Sequence, residues 1–292
     1  MFLFAVHISD GILTTPWIAG GFAIAYVLVL FGSLCIRDEE IPRIALLTAA
    51  FFVASLLHAR VGPTSVQLLL NGLVGVILGR RAALALLVGL FLQVALLGHG
   101  GFLTLGVNTC VMTLPALFSF VLFRTLHRIP WIKTPTGRGI LVAVGAAVWF
   151  LSGVYSLTLL FNTSISALDD AALEIANARL LDPFVIGGML LFTVVMIGVE
   201  RRLENTPEFP LGFLIGELSV LMTVVLNCAV LLAGGERNWP VPPLVLVIAH
   251  LPFAVIEGVI LGFVIGFLAK VKPEMLGIVN HGGHARLSEP EA

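Results

Sequence analysis

Long apolar stretches, one after another with only short polar connections between them, constrain this chain more than any other feature. About nine of them, most in the range of about 17–25 residues that a membrane helix needs, lie near 17–36, 41–57, 66–79, 82–98, 103–123, 139–161, 184–200, 211–233 and 243–269. Only 11% of the residues are charged, against about 25% in a typical soluble domain. Such a chain cannot cover itself with polar surface, so a bilayer is its natural solvent. The expected fold class is an all-α, polytopic membrane helix bundle with about nine transmembrane segments. Residues 1–272 read as a single integral membrane domain and 273–292 as a polar cytoplasmic tail. The third stretch is short and carries Gln67, Asn71, Gly72 and Gly75, so it is expected to lie against protein rather than lipid. Met1–Ala5 is too short for a signal peptide.

Basic residues fall in alternate connections. Arg37 and Arg43, Arg80-Arg81, Arg124 to Arg138, Arg201-Arg202, and Lys270 with Lys272 alternate with connections that are poor in Lys and Arg. The positive-inside rule then places the N-terminus outside and the C-terminus in the cytoplasm. A net charge of -1 gives no sign of a nucleic-acid partner. The three cysteines, Cys35, Cys110 and Cys228, have neither redox nor metal-ligand spacing and read as small apolar residues. Between Asn162 and Pro183, acidic residues early in an alanine-rich run predict a short surface helix.

Polar residues inside or beside membrane runs are costly and each needs a reason. His7-Ile8-Ser9-Asp10-Gly11 precedes the first apolar run. It reads either as a polar lead into a helix or as a nitrogen-rich ligand near a chain end, placed in a surface-facing leader. In the second reading an α-amine beside the imidazole could close chelate rings of the kind that suits nickel or copper. A second group runs from His58 to Asn71, where Thr64-Ser65 is expected to cap the third helix and the wall faces outward. A third is His99-Gly100-Gly101 with Thr104 and Asn108. His250 and Glu257 sit in the last run, where Glu257 is expected to pair with a basic residue or to be protonated. Gly258, Gly262 and Gly266 share one helix face, for internal packing by default and a membrane partner as the alternative.

Taken together, these segments resemble the CbiM/NikM family, the substrate-capture subunits of energy-coupling-factor uptake systems for cobalt and nickel. The motif His-x-x-Asp/Glu-Gly is similar to His7 through Gly11. The signature G-H-G-G-x-x-T-L-G-x-N is matched by Gly98 through Asn108. P-x-x-x-x-E-G is matched by Pro252 through Gly258, and a Gly-rich turn resembles Gly62 through Gln67. Residues 138–205 fall outside this pattern and look like an inserted helix pair. The resemblance implies a metal held by a terminal amine, the adjacent His7 and a second histidine. Two departures follow. Gln67 stands where that histidine is expected, with His58 as a nearby substitute, and five residues precede Val6. Valine can be encoded by a GTG start codon. We expect translation to begin at residue 6, which would restore the amine beside His7. Asp10, Thr64, Ser65, Asn71, His99 and Asn108 are expected to support these ligands.

The resemblance also implies partners: a CbiQ-like coupling subunit, CbiO-like ATPases and a small CbiN-like helper. No P-loop sequence is present, so ATP hydrolysis is assigned to those partners and the chain is not expected to be an enzyme. Co2+ or Ni2+ enters as substrate, and no cofactor is expected. One alternative is a family member whose site has drifted, through Gln67, toward another ligand or none. Another is a membrane enzyme using Glu257, His250 and His99, for which no nucleophile–base pair is visible.

Overall fold

The computed structural model of the protein describes residues 4–5, 7–61, 64–162, 170–202, 206–236 and 241–277. In chain order it runs β1 (Phe4–Ala5), α1 (Thr15–Ser33), α2 (Ile41–Ser55), β2 (His58–Val61), β3 (Thr64–Gln67), α3 (Asn71–Leu78), α4 (Ala82–Leu97), α5 (Leu105–His127), α6 (Pro135–Asn162), α7 (Asp170–Leu180), α8 (Pro183–Arg202), α9 (Phe209–Gly234) and α10 (Val241–Val271). The membrane bundle is thus all-α, as expected. The tail from residue 273 is described only as far as Gly277, and there Leu276 is buried.

Each of the nine apolar stretches contains a helix, although the third, 66–79, opens in β3, and seven helical stretches among the described residues are long and apolar enough to cross a bilayer. The difference lies near the start of the chain. With 15 residues, α2 reaches only about 22 Å at 1.5 Å per residue. With 8 residues, α3 reaches about 12 Å. One of the seven stretches, Asn71–Leu97, joins α3 to α4, yet the chain turns between them at Gly79, whose φ is +55°. A β-carbon on Gly75 would meet Ala116 and one on Gly79 would meet Phe120. Therefore α3 runs beside α5 in the same direction. Then α4 leads back, from Arg81 at the C-terminal end of α1 to Gly98 and His99 near His7.

The start of α3 inside the bundle needs its backbone satisfied. Leu70 adopts a left-handed φ of 46° ahead of the helix. The backbone N–H groups of Leu69 and Leu70 both donate to the carboxylate of Glu257 in α10, the latter at 3.0 Å. Glu257 therefore pairs with backbone rather than with a basic residue, because two N–H groups left by the broken helix would otherwise be stranded away from water. Asn71 finishes the joint. Its amide donates to Thr223 (2.7 Å) and to the Met112 carbonyl (3.3 Å), and its oxygen accepts from Ser219 (3.0 Å).

The glycines Gly258, Gly262 and Gly266 of α10 face Phe213, Phe209 and Thr206, and Gly212 and Gly216 of α9 return the contact. That face serves internal packing. At the opposite end from His7, Arg81 donates to the carbonyls of Gly32, Leu34 and Cys35 and pairs with Glu40 at 2.9 Å, closing the C-terminus of α1. On the outside of the bundle, α6 carries α7 and α8. Only 6% of the apolar window of α8 is buried within the protein, which leaves the rest of that helix as surface suited to lipid. The expected surface helix begins at Asp170; the residues before it, 163–169, lie outside the described set.

Candidate functional site

The segment after α2 does not cap a helix. It forms a small sheet of order β1-β3-β2, with β1 parallel and β2 antiparallel to β3. Thr64 and Ser65 therefore sit in a strand, and α3 starts only at Asn71. Backbone that leaves a helix near a membrane must pair elsewhere, and the ladder supplies the partners. In register, Ser65 opposes Arg60 and Ala5, Thr64 opposes Val61 and Phe4, and His58 opposes Gln67.

Beneath this sheet lies His7. The sequence places it in a surface-facing leader, but it is 2% exposed. Two neighbouring segments hold it there. Asn108 grips the next residue at both polar atoms: its oxygen accepts from Ile8 N–H at 2.9 Å and its amide donates to Ile8 C=O at 2.9 Å. Thr104 Oγ1 also donates to Ile8 C=O, at 2.5 Å. Asp10 then accepts from the backbone N–H groups of Phe102, Leu103 and Thr104, at 2.9–3.1 Å. Its carboxylate sits at the positive end of α5, where a negative charge is favoured. A β-carbon on Gly101 would collide with the Asp10 carboxylate. Gly100, with φ at +88°, lies close beside His7. The two sequence motifs thus form one joint, in which the Gly-rich turn is the socket for the leader. A second anchor ties Leu13 to Gly235 and the Thr14 N–H to the Gly234 carbonyl, at 2.9 Å.

The His7 ring has one nitrogen engaged and one free. Gln67, 6% exposed, brings its amide within 2.6 Å of Nε2. Nδ1 is buried and has no hydrogen-bond partner. Burial holds the His7 pKa down at about 3, with the His99 and His250 rings acting in the same sense and the Gln93 carboxamide weakly against it. The imidazole is neutral at physiological pH, so one ring nitrogen carries a lone pair and the other a proton. The Gln67 side chain sets which, since its NH2 would take the Nε2 lone pair and its oxygen would accept Nε2–H and leave the lone pair on Nδ1. His99 is also held below the ordinary histidine value, by burial and then by His58. The His58 and His99 rings meet edge to face at 5.3 Å.

Of the residues singled out from sequence, His7, Gln67, His58, His99, Asp10 and Asn108 belong to this one region. Asn71 makes its hydrogen bonds deeper in the bundle, and none to His7. Val6 lies outside the described residues, and Thr64 is placed by its backbone alone. Gln93 is a residue that sequence reading passes over. It is fully buried in α4, neither of its amide atoms makes a well-formed hydrogen bond, and it acts on His7. A lone glutamine in the apolar run of α4 is the signal that could have found it. Among the described residues, no group of three or more His, Cys, Asp or Glu converges to hold a metal ion. No nucleophile–base pair appears either; His250 Nδ1 is bonded to the Leu246 carbonyl, at 2.8 Å.

Comparison with known proteins adds the following. The family model CbiM, cobalt uptake substrate-specific transmembrane region, matches residues 7–195 and 176–275. A protein of Haemophilus influenzae named "Putative metal transport protein" is 40% identical over 152 residues, covering 52% of this chain and 72% of its own length. The cobalt transport protein CbiM of Geobacter sulfurreducens is 27% identical over 234 residues, covering 76% of this chain and 60% of that one. A solved transition metal transporter aligns over 91% of this chain and 93% of its own, at 18% identity and a TM-score of 0.48.

Proposed function

This chain belongs to the CbiM family, and from that premise we propose that it is the metal-capturing membrane subunit of an ATP-driven importer for cobalt or nickel. That it is a metal-uptake component of a bacterial plasma membrane follows from the family and the apolar helices. The ATPase and coupling subunits, CbiO-like and CbiQ-like, with a small CbiN-like helper, are part of the proposal, because the resemblance implies them.

The observation that carries the reading is the His7 ring. Its Nε2 is occupied by Gln67, while Nδ1 is buried and unpartnered. Of the two ring nitrogens, Nδ1 is the one close enough to its own backbone nitrogen for both to bind one cation and close a chelate ring. A chain starting at residue 6 would add a free amine beside it, giving the nitrogen-rich set that nickel(II) and cobalt(II) accept. Gln67 has two ways to serve. With its oxygen toward His7 it would accept Nε2–H and fix the tautomer that leaves Nδ1 free. With its oxygen toward the cation it would be a weak fourth ligand. His58 and His99 stand by as donors from the sheet and the turn, and Asp10, Ser65, Thr64 and Asn108 hold the backbone around them. Asn71 supports the site from further away, through the start of α3.

Capture would occur at the outer face, as the basic-residue pattern implies. In this reading α6–α8 are an added peripheral layer of a single membrane domain. The test of function is metal bound by the purified full chain, read by elemental analysis after desalting. About one cobalt or nickel per chain, lost in His7→Ala, is expected. No metal in either protein would sink the proposal and favour a second reading, a drifted site, which has its own observation in the lack of converging His, Cys, Asp or Glu side chains among the described residues. The orientation has a separate test: a cysteine in the α6–α7 connection should react with an impermeant thiol reagent in intact cells, and one between Arg128 and Lys133 should not.

A further inference from the structure

At the end of the bundle opposite His7, a cleft of about 860 Å³ opens between the C-terminus of α1, the turn from α3 to α4, and the last turns of α5. Five arginines and two glutamates line it. Arg81 and Glu40 neutralise each other, and Arg81 is further spent on the carbonyls that end α1. The remaining arginines are Arg37, Arg43, Arg80 and Arg124, opposite Glu274 alone, and of these Arg80 gives one N–H to the Leu34 carbonyl at 3.0 Å. None of these four is in a salt bridge among the described residues. Two of them sit over aromatic rings at the edge of the apolar wall: Arg80 over Phe31 at 5.7 Å and Arg124 over Phe120 at 4.6 Å. The wall continues through Leu117 and Val121 of α5, the latter exposed toward the lipid side.

A cleft with excess positive charge at its mouth and exposed apolar side chains running into the bilayer matches one kind of ligand, an anion that carries its own acyl chains. We propose that this cleft binds the phosphate headgroup of an anionic phospholipid, with Arg37, Arg43, Arg80 and Arg124 around the phosphate and the acyl chains along Phe31, Leu117 and Val121. Basic pockets between membrane helices recognise lipid headgroups in this way, at roughly 1 kcal/mol per basic side chain, and guanidinium groups suit phosphate oxygens. The proposal uses no part of the metal-site argument and stands or falls separately.

The test is native mass spectrometry of the full chain in detergent. Phosphatidylglycerol and phosphatidylcholine with the same acyl chains are added in equal amounts, with and without soluble glycerol phosphate. The expected result is one phosphatidylglycerol retained in strong preference to phosphatidylcholine. Arg124→Gln and Arg37→Gln should each lower that preference about fivefold, the factor that ~1 kcal/mol gives, while Arg128→Gln, outside the cleft lining, should leave it unchanged. Both Arg124 and Arg37 are exposed, so their loss should not disturb folding; unchanged thermal unfolding of the lipid-free variants checks this. Equal retention of the two lipids would overturn the proposal, as would a preference untouched by the cleft variants. Displacement by soluble glycerol phosphate at matching concentration would show a plain anion site and also overturn the lipid assignment. Loss of association with other subunits in the cleft variants, without lipid preference in the wild type, would make the cleft a protein-docking face instead.

Discussion

The leader from His7 to Thr14 and the seam between α9 and α10 are both tightly held, and by opposite means. The leader is bound by polar atoms: Asn108 and Thr104 on Ile8, Asp10 on the turn before α5, and backbone bonds to Gly234. The seam makes little use of polar groups. Five glycines let the two helices approach until backbone meets backbone and ring. In lipid, apolar burial between helices gives little driving force, so close packing and hydrogen bonds take its place. The molecule uses one for shape and the other for position. In the positional region His7 Nδ1, His99 Nδ1 and both amide atoms of Gln93 are left unspent around one ring, so a ligand there has something to gain. On the seam helices Glu217 and His250 Nε2 are also left without a partner among the described residues.

The largest effect should come from the leader. His7→Ala removes the unspent nitrogen, so cobalt or nickel affinity should fall at least about 100-fold, the scale expected when a primary ligand is lost. Because the leader is pinned by its neighbours, the thermal midpoint should move little. Undiminished metal binding by isothermal titration would erase the functional side of the contrast. Next comes the seam. A β-carbon on Gly262 would already stand 2.8 Å from Phe209, so Gly262→Leu should destabilise by about 3 kcal/mol or more through overpacking. The measurement is hydrogen exchange, which should rise in α9 and α10 peptides and stay low in the leader. Exchange rising equally in both would show the two regions to be one cooperative unit.

Asn108→Ala inverts that experiment. It strands the buried N–H of Ile8, whose C=O keeps the Thr104 hydroxyl, at about 1–3 kcal/mol. Leader exchange should rise while the seam is quiet, and metal affinity should drop about tenfold. The smallest effect is at Gln67. Gln67→His puts an imidazole in place of a weaker amide donor; affinity should hold or tighten by a few-fold, and most clearly in a chain that begins with methionine at residue 6. A large loss would mean that the Gln67 bond to His7 Nε2, rather than any donation to the cation, is what the site requires.

Much of this was legible in the residues. Apolar length gives the helices, and the three α10 glycines pack internally as their spacing suggests. The halves of the polar joint, His7–Gly11 and Gly98–Asn108, are each visible as motifs. That one is the socket of the other depends on contacts about a hundred residues apart, which no local pattern carries. The same limit hid the burial of His7, since a polar leader looks solvated until the turn that covers it is placed. Thr64-Ser65 misled because hydroxyl residues before an apolar run signal a helix cap, yet here strand pairing with Val61 and Arg60 takes the backbone first. The third stretch, short in the sequence, is shorter still as a helix, because periodicity does not show where, within an apolar run, a backbone breaks.

That break has a consequence for how the protein is made. An eight-residue helix is too short to be accepted into a bilayer as a span of its own. Its exposed leading amides, at Leu69 and Leu70, are answered by a carboxylate that lies 188 and 187 positions further on. During synthesis a further 187 residues must be made before that carboxylate is available. Until then the α3–α4 hairpin must wait in the membrane with the start of α3 unsealed, shielded by water or by the insertion machinery. A chain cut anywhere before Glu257 would lack the group that seals the start of α3, so it would be left open at its centre rather than merely shortened at its end.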